Sequence, residues 1–248
     1  MTIRTGIGGW TFEPWRGVFY PRGLPHAREL EFASRALTTI EVNGTFYGLM
    51  SPATYAKWHA ETPDGFVFSL KAPRFAVNRR ELAGAGESIA RFVASGVGEL
   101  GDKLGPILWQ FAATKQFDPA DFGKFISLLP TGYRHALEPR HESFRDPAFV
   151  SMARDAGCAI VFADSHAYPM FDEATAEFTY ARLQNGDSDE LTGYPAAALD
   201  GWAEQVRVWA TGTDSYGHRH GRDVFVYFIN GGKVRAPAAA AALYERLG

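Results

Sequence analysis

The sequence is poor in cysteine and has neither a long apolar run nor an excess of basic residues. Its single cysteine, Cys158, excludes an intrachain disulfide, and the surrounding AGCAIVFAD is typical of a small buried side chain. No stretch approaches the ~18 consecutive apolar residues of a membrane span, and the opening MTIRTGIGGW has no long apolar core. We therefore expect a cytoplasmic protein with no membrane partner.

The charge balance argues against a general polyanion binder. The formal net charge is -3 and the pI is about 6.2, whereas nucleic-acid-binding domains usually carry a basic face that makes the whole domain positive. A local basic site is still compatible with this balance. Motifs for a serine nucleophile, such as G-x-S-x-G, are absent.

The chain does contain a regular alternation of short apolar runs with longer helical patterns, and 46% of its residues are hydrophobic. The eight candidate strands are IRTGIGG, TTIEVN, FVFSLK, PILWQF, HALEPR, CAIVFAD, FTYARL and DVFVYFIN. The candidate helices are ARELEFASRA, PATYAKWHAET, ESIARFVASGVGEL, PADFGKFISLL, DPAFVSMARDAG, AALDGWAEQVRVWA and PAAAAALYERLG. Residues 165–177 lack a helical pattern, so a loop is expected after the sixth strand.

Such a pattern fits either an open doubly wound sheet or a closed barrel, because both bury parallel strands on two faces. Gly6, Gly8 and Gly9 are followed by TFEPW and not by a helix, so the dinucleotide-binding fingerprint lacks its context. The sequence therefore predicts an α/β fold in which residues 1–248 form one domain. That domain is a TIM-like (β/α) barrel of eight parallel strands and about seven helices.

Polar side chains recur at the carboxyl ends of the candidate strands, where barrels of this kind build their active sites. In strand order they are Glu41 and Asn43, Lys71, Gln110, Glu138 and Arg140, Asp164, Tyr180 and Arg182, and Asn230. Because isolated buried charges are costly, the carboxylates need partners among the cations. The set therefore predicts a functional site, with structural ion pairs that close the barrel mouth as the alternative.

The residue types favour acid/base chemistry on an anionic ligand. Glu138 lies two positions from Arg140 and should stay ionised as a base or orienting carboxylate, whereas Glu41 has no cation close in sequence and is the candidate acid. His141 and Asp164 complete the candidate catalytic set. Arginine forks suit phosphate and carboxylate groups, so a mouth that contains Lys71, Arg140 and Arg182 predicts an anionic group in the ligand.

Three weaker features bear on the same site. The NGGK run at residues 230–233 follows the eighth strand, where barrels often hold phosphate, although a plain tight turn explains it equally well. Trp10 and Tyr47 are candidate ligand contacts among aromatic residues that could equally pack the rim. A divalent metal held by Glu41, Glu138, His141 and Asp164 is disfavoured because lysine and arginine compete for the carboxylates, so no cofactor is expected.

Several of these segments resemble the DUF72 family, which is also called YecE-like. The matching segments are GIGGWTFEPWRGVFYP, IEVNGTFYGL, ETPDGFVFSLKAPR, ILWQF, LEPRHESF, YARL and VYFIN. The resemblance implies a TIM-barrel-like fold and supplies no reaction, since the family is named for its unknown function. The chain departs from the family pattern at Asn78, near a usual Thr-His, at Gln184, where a histidine is usual, and in GGKVRAP, which lacks the usual histidine.

These observations favour an enzyme that binds an anionic sugar-like or nucleotide-like small molecule and hydrolyses or isomerises it by acid/base chemistry. Two alternatives remain open at this point. One is a protein that binds or processes nucleic acid, by analogy with barrels of the endonuclease IV type. The other is a ligand-binding barrel without catalysis. The sequence does not indicate an oligomeric state.

Overall fold

The strands form one parallel sheet that curls into a barrel. The computed structural model describes residues 1–213, 219–229 and 231–248. The strands of the sheet are β1 Ile3–Gly8, β2 Thr39–Val42, β3 Val67–Lys71, β4 Leu104–Gln110, β5 His135–Glu138, β6 Ala159–Ile160, β7 Phe162–Asp164, β8 Phe178–Leu183 and β11 Asp223–Phe228. They are hydrogen-bonded in the order β6-β5-β4-β3-β2-β1-β11-β8-β7, and every pairing is parallel.

The two ends of this order belong to one stretch of chain, so the sheet is nearly closed. Only Val161 separates β6, which pairs with β5, from β7, which pairs with β8. The Val161 N–H donates to the carbonyl oxygen of Leu137 at 2.9 Å. The nine strands therefore occupy eight barrel positions, which confirms the predicted fold class.

Helices cover the outside of the barrel. The described residues contain seven α-helices longer than one turn and two of a single turn, α2 and α4. They are α1 Glu29–Ala36, α2 Gly44–Tyr47, α3 Pro52–Glu61, α4 Arg74–Val77, α5 Gly86–Ala94, α6 Pro119–Ser127, α7 Pro147–Asp155, α8 Ala196–Ala210 and α9 Ala236–Leu247. Residues 165–177 contain no helix, as predicted.

Local sequence explains where several elements begin and end. The helices α3, α6 and α7 each start with proline after a residue whose side chain accepts a backbone N–H, namely Ser51, Asp118 or Asp146. The predicted helix over 87–100 is too long, because Gly96 has a φ of 107° and the chain continues as a 3-10 helix. The predicted strand 135–140 is also too long, since Pro139 has no N–H to continue the ladder.

The sequence did not predict a short antiparallel pair before the last barrel strand. This pair consists of β9 Thr211–Thr213 and β10 Arg219–Gly221. Within the described part of the chain, no helix has the length and apolar character needed to cross a membrane.

Buried side chains form two layers, one on each face of the sheet. The larger layer lies between the strands and the helices and includes Trp15, Phe68, Trp109 and Leu243. Cys158 is also buried there, and burial raises the pKa of its thiol to about 12. The thiol is therefore a packed apolar group, as the sequence indicated.

The smaller layer fills the barrel interior, and it becomes polar toward the carboxyl ends of the strands. Phe225, Leu108 and Tyr180 contribute to its apolar part. Next to them, the Tyr227 hydroxyl lies 2.8 Å from Thr39 Oγ1 and 2.6 Å from Ser69 Oγ. Because side chains two positions apart on a strand share a face, the residues two positions further along also point inward.

Candidate functional site

The candidate site consists of the last inward-facing residues of five strands. On β2, Glu41 lies two positions after the inward-facing Thr39, and on β3, Lys71 lies two positions after Ser69. The last inward-facing residues of β4, β5 and β8 follow in the same way. The resulting residues are Glu41, Lys71, Gln110, Glu138 and Arg182, and all five are buried. Barrel geometry therefore brings together residues that lie up to 141 positions apart in the chain.

Arg182 joins the two buried glutamates. Its guanidinium donates to both oxygens of Glu41, with Nε to Oε2 and Nη2 to Oε1 each at 2.9 Å, and Nη1 donates to Glu138 Oε2 at 2.7 Å. Tyr180 adds a hydroxyl donor to Glu41 Oε2 at 2.8 Å. Glu41 thus accepts three hydrogen bonds, two from Arg182 and one from Tyr180. Its cation comes from a distant strand, and the role of Glu41 as the acid stays a prediction.

Glu138 is held ionised by its neighbours. Gln110 Nε2 donates to its Oε2 at 2.8 Å, and Arg140 Nε donates to its Oε1 at 3.0 Å. Burial acts to raise the pKa of Glu138, but the charges of Arg182 and Arg140 outweigh burial and lower the pKa below its usual value. The expectation that Glu138 carries a negative charge agrees with this geometry.

Above the carboxylates lies an open cleft of about 580 Å³. Gly8, Trp10, Asn43, Phe46 and Phe228 form part of its wall. Among the described residues, its charged lining side chains are all cations, namely Lys71, Arg140, Arg182 and Lys233. Glu41 and Glu138 lie beneath this lining, so four positive charges stand against two negative ones.

Lys71 is the cation whose surroundings are least usual. Its ammonium lies 4.3 Å from the centre of the Phe46 ring, and the described residues offer it no hydrogen bond and no ion pair. Burial and then the positive charge of Arg182 lower the pKa of Lys71 to about 8, although Glu41 and Glu138 act in the opposite direction. The amine therefore titrates close to neutral pH and opens on the cleft.

The turn after β2 positions Lys71 and Phe46. The buried Thr45 hydroxyl lies 2.8 Å from the Lys71 carbonyl oxygen and 2.9 Å from that of Val42, so it joins the ends of β3 and β2. Phe46 follows on the same single helical turn, and this places its ring beside the ammonium.

Arg140 continues the cationic side of the cleft beyond the end of β5. Its guanidinium lies 4.2 Å from the centre of the Tyr168 ring, which belongs to the loop after β7. Its Nε makes the contact with Glu138, the described residues give its terminal nitrogens no hydrogen-bond acceptor, and the residue lines the cleft. Arg140 is therefore fixed by two contacts and still presents a fork of donors.

Most of the predicted ligand contacts line the cleft. They are Trp10, Asn43, Tyr47, Lys71, Gln110, Arg140 and Arg182. Tyr180, Glu41 and Glu138 lie below them in the hydrogen-bonded network. Asn230, also a predicted contact, lies outside the described residues.

Two predicted catalytic residues lie apart from this lining. His141 Nδ1 lies 2.9 Å from Ser143 Oγ and accepts the Ser143 backbone N–H at 3.1 Å, an arrangement typical of a cap at the start of a short 3-10 turn. Asp164 accepts a hydrogen bond from Asn185 Nδ2 at 2.8 Å, and burial raises the pKa of Asp164. Both contacts explain these polar side chains structurally, and the catalytic role of each stays a prediction.

Sequence reasoning missed Lys233, Thr45 and Phe46. Lys233 belongs to the NGGK run, and its ammonium lies 4.4 Å from the centre of the Phe12 ring; burial lowers the pKa of its amine. The lysine that ends this run was the available signal, because the sequence argument concentrated on its glycines. Thr45 gave no signal of its own, and Phe46 stood out only as one of the aromatic residues after the first two strands, since the roles of both depend on contacts with Lys71 on another strand.

The two glycines of the same run are explained by packing. The Gly231 N–H donates to the Gln184 carbonyl oxygen at 3.1 Å, and a Cβ at Gly231 would lie 2.5 Å from that oxygen. Gly232 has a φ of 56°, and a Cβ there would lie 2.7 Å from the backbone of Asp187. The glycines therefore allow two loops to approach closely, and the Gly231 N–H is already used.

Asn78 and Gln184, where the chain departs from the family pattern, lie in different surroundings. Asn78 follows the last residue of α4 and lines the cleft, whereas Gln184 is buried.

In the described ranges, no group of three or more histidine, cysteine, aspartate or glutamate side chains could hold a metal ion. The oxygens of Glu41 and Glu138 each accept at least one hydrogen bond from a protein donor.

The fold and this cleft define a TIM-like (β/α) barrel with an ion-paired polar mouth at the carboxyl ends of its strands. Residues 4–248 match the family model described as "Protein of unknown function DUF72". The chain belongs to this DUF72 family.

Comparison with individual proteins agrees with this assignment. The chain is 27% identical over 145 residues to the UPF0759 protein YecE of Escherichia coli (strain K12), a match that covers 57% of this chain and 50% of that protein. The match therefore spans about half the length of the relative.

Solved structures extend the likeness over the whole barrel. A DUF72 family protein from Thermotoga maritima MSB8 has a TM-score of 0.75 at 21% identity and covers 98% of this chain and 97% of its own. One from Enterococcus faecalis V583 has a TM-score of 0.76 at 18% identity, with 99% and 95% covered. The structure of SacUVDE has a TM-score of 0.59 at 11% identity, with 99% and 98% covered. At these identities the likeness concerns the fold.

Proposed function

We propose that this protein is an enzyme that acts on a small molecule carrying a phosphate or carboxylate group. The ligand occupies the cleft at the barrel mouth, and its anionic group is held by Arg140, Lys233 and Lys71. Its uncharged part lies against Trp10 and Tyr47. The class includes phosphorylated or carboxylated sugar-like and nucleotide-like molecules.

One observation carries this proposal. Every charged side chain that lines the cleft in the described ranges is a cation, and the two carboxylates beneath are already engaged. The four cations outnumber the two carboxylates, so the mouth carries a net positive charge that an anion in the cleft would offset in a partly desolvated setting. Arginine also offers a planar fork of donors that matches phosphate and carboxylate oxygens.

The chemical step that fits these residues is proton transfer by Lys71. An amine with a pKa of about 8 exchanges protons readily at neutral pH, which is the property required of a general acid or base. Glu138 and Glu41 accept hydrogen bonds from Arg182, and Glu138 also accepts one from Arg140, so we assign both carboxylates to positioning these arginines. The acid/base step supports isomerisation or hydrolysis of the bound molecule.

Anion binding by the cleft is tested by isothermal titration with inorganic phosphate. The Lys233→Met substitution should weaken phosphate binding about tenfold or more, because it removes a charged donor from the cleft. Lys124→Met is the matched control, since Lys124 is an exposed lysine on α6 and its loss changes the net charge equally. Equal phosphate affinity in both variants would contradict the proposal. Saturable binding of every tested phosphate ester without turnover would instead favour a non-catalytic binding barrel.

A second candidate function, binding of a nucleic acid, has one observation in its favour. A second groove of about 610 Å³ is lined by Arg79, Arg80 and Lys115 and adjoins the cleft through Asn78 and Ala112. Lys115 is neutralised by Asp121 at 2.7 Å, which leaves two arginines to contact a further phosphate. A strand longer than one nucleotide could extend from the cleft into this groove.

Fluorescence anisotropy with a labelled single-stranded oligonucleotide tests this candidate. Binding should weaken steeply with salt, and Arg80→Gln should reduce the slope of log K against log salt by about 0.7. The absence of binding at low salt would eliminate the nucleic-acid function and leave the small-molecule function intact.

A further inference from the structure

The amine of Lys71 takes no part in the ion-pair network that the described residues form around it. Its side chain is 8% exposed, yet its ammonium makes no hydrogen bond and no ion pair with any described residue. Buried ammonium groups are normally paired, because loss of water is costly for the charged form. Arg182, which is 3% exposed, donates to two carboxylates.

Burial and the neighbouring cations favour the neutral, nucleophilic form of this amine. Arg182 and Arg140 contribute the positive charge, whereas the ring face of Phe46 attracts the charged form and so acts in the opposite direction. The carboxylates of Glu41 and Glu138 are held by other donors. Desolvation and neighbouring cations are the two conditions that activate lysines for attack on carbonyl groups.

We propose that Lys71 forms a Schiff base with a small aldehyde or ketone that carries a phosphate or carboxylate group. The position of the amine on the cleft, with Arg140 and Lys233 lining the same cleft, carries this inference. It rests on the proposed function for the anionic group, and it narrows the ligand class to carbonyl compounds such as the open-chain form of a phosphorylated sugar.

The reaction is balanced without an oxidant or a reductant. The nitrogen lone pair of the neutral amine attacks the carbonyl carbon, a C–N bond forms and the C=O π bond opens to give a carbinolamine after proton transfer. Protonation of the carbinolamine hydroxyl by solvent lets it leave as water, and the nitrogen becomes a protonated imine. The net change is amine plus carbonyl plus one proton to iminium plus water.

The cleft supplies what this step requires. An anionic group held by Arg140 and Lys233 would keep the carbonyl close to Lys71, which raises the effective concentration of the reacting group. The protonated imine then withdraws electrons from the neighbouring carbon. This makes a proton on that carbon easier to remove, as an isomerisation requires.

Borohydride trapping tests the inference directly. The full chain is incubated with glycolaldehyde phosphate, reduced with sodium borohydride and digested for peptide mass spectrometry. Lys71 should carry the reduced adduct at aldehyde concentrations that leave Lys124 unlabelled, and sulfate should compete with the labelling. Glycolaldehyde without phosphate should label Lys71 at least tenfold less, and equal labelling would overturn the role of the anion.

The Lys71→Arg variant separates this inference from the proposed function. Arginine keeps the positive charge but cannot form the imine, so the variant should bind sulfate and lose the adduct. An adduct on Lys233 or on surface lysines only, together with normal sulfate binding, would overturn the Schiff base and leave the proposed function standing. If the unmodified protein neither formed the adduct nor bound sulfate, the Schiff base and the proposed function would both be overturned.

Discussion

Arg182 and Lys71 are buried cations on opposite strands of the barrel. They differ in whether the described residues supply a carboxylate partner. Arg182 donates to Glu41 and Glu138, and these carboxylates raise the pKa of its guanidinium despite burial. The ammonium of Lys71 has a ring face beside it and opens on the cleft. The arginine is therefore a fixed part of the protein's own network, whereas the lysine is available for a ligand.

The pKa of Lys71 predicts how anion binding depends on pH. Below about pH 8 the ammonium is charged, and a bound anion stabilises the charged form further, so affinity should be constant there. Above the pKa of the free protein, affinity for sulfate should fall by up to about tenfold per pH unit until the pKa of the complex is reached. Sulfate is the suitable probe, because its own charge is constant over this range.

Isothermal titration of sulfate between about pH 6.5 and about pH 9.5 measures this dependence. The Lys71→Arg variant is the control, since its side chain stays charged and its affinity should not fall in the same way. A fall of equal size in the variant would show that another group is responsible.

Removal of the Arg182 charge should be strongly destabilising. Arg182→Met leaves two buried carboxylates without their main cation, and loss of one partner from such a network costs about 3–5 kcal/mol in the free energy of unfolding. Chemical denaturation at neutral pH measures this change. Arg28→Met is the matched control, because Arg28 makes the same two-pronged contact with Glu31 at the surface and should lose little. Similar losses in both variants would contradict the account of the network.

At the scale of secondary structure, the single-turn helix α2 connects the scaffold to the site. Its Thr45 hydroxyl contacts the ends of β2 and β3, and its Phe46 ring covers the Lys71 ammonium. A short element thus fixes the position of two side chains at the cleft. Its neighbour Tyr47 is exposed at the rim.

The Thr45→Val substitution tests this role of α2. It keeps the shape of the side chain but removes the one hydroxyl donor that the carbonyl oxygens of Val42 and Lys71 share, which costs about 1–3 kcal/mol of stability. Sulfate binding should weaken as well, because the end of β3 carries Lys71. Thr54→Val removes a hydroxyl that contacts Ser51 at the surface and is the control. Unchanged sulfate affinity in Thr45→Val would mean that α2 does not position the lysine.

The elements of the barrel could be predicted because each carries its own local signal. Short apolar runs marked the eight strand positions, and longer stretches with helical spacing marked the helices between them. The break at Val161 and the β9–β10 pair could not be predicted, since both depend on partners distant in the chain. The single turn α2 is too short for a helical period to be visible.

For the candidate site, the sequence predicted the position and not the pairing. The polar residues at the carboxyl ends of the candidate strands placed Glu41, Lys71, Glu138 and Arg182 at one end of the barrel. Which carboxylate receives which cation depends on strand neighbours and side-chain reach. For this reason the ion pair of Glu41 with Arg182 was not foreseen, nor was the absence of an ion pair between Lys71 and the other described residues, and the role of Glu41 as the acid stays a prediction.

For the whole molecule, the distribution of charge matters more than its sum. The formal net charge is -3, while the charged lining of the described cleft is entirely positive. A cleft of one sign concentrates field lines and attracts small ions of the opposite sign, even when the protein as a whole carries the same sign as the ligand. A small anion can therefore reach the mouth, whereas the acidic surface disfavours a long polyanion.

The most direct test of the central claim is to locate an anion in crystals of the protein. Crystals soaked in selenate are measured at the selenium absorption edge, where anomalous scattering identifies the ion without ambiguity. We predict an anomalous peak in the cleft, within hydrogen-bond distance of Arg140 and of at least one of Lys71 and Lys233, and no such peak in crystals of Arg140→Met. Selenate found only on the outer surface, with the cleft empty, would contradict the account.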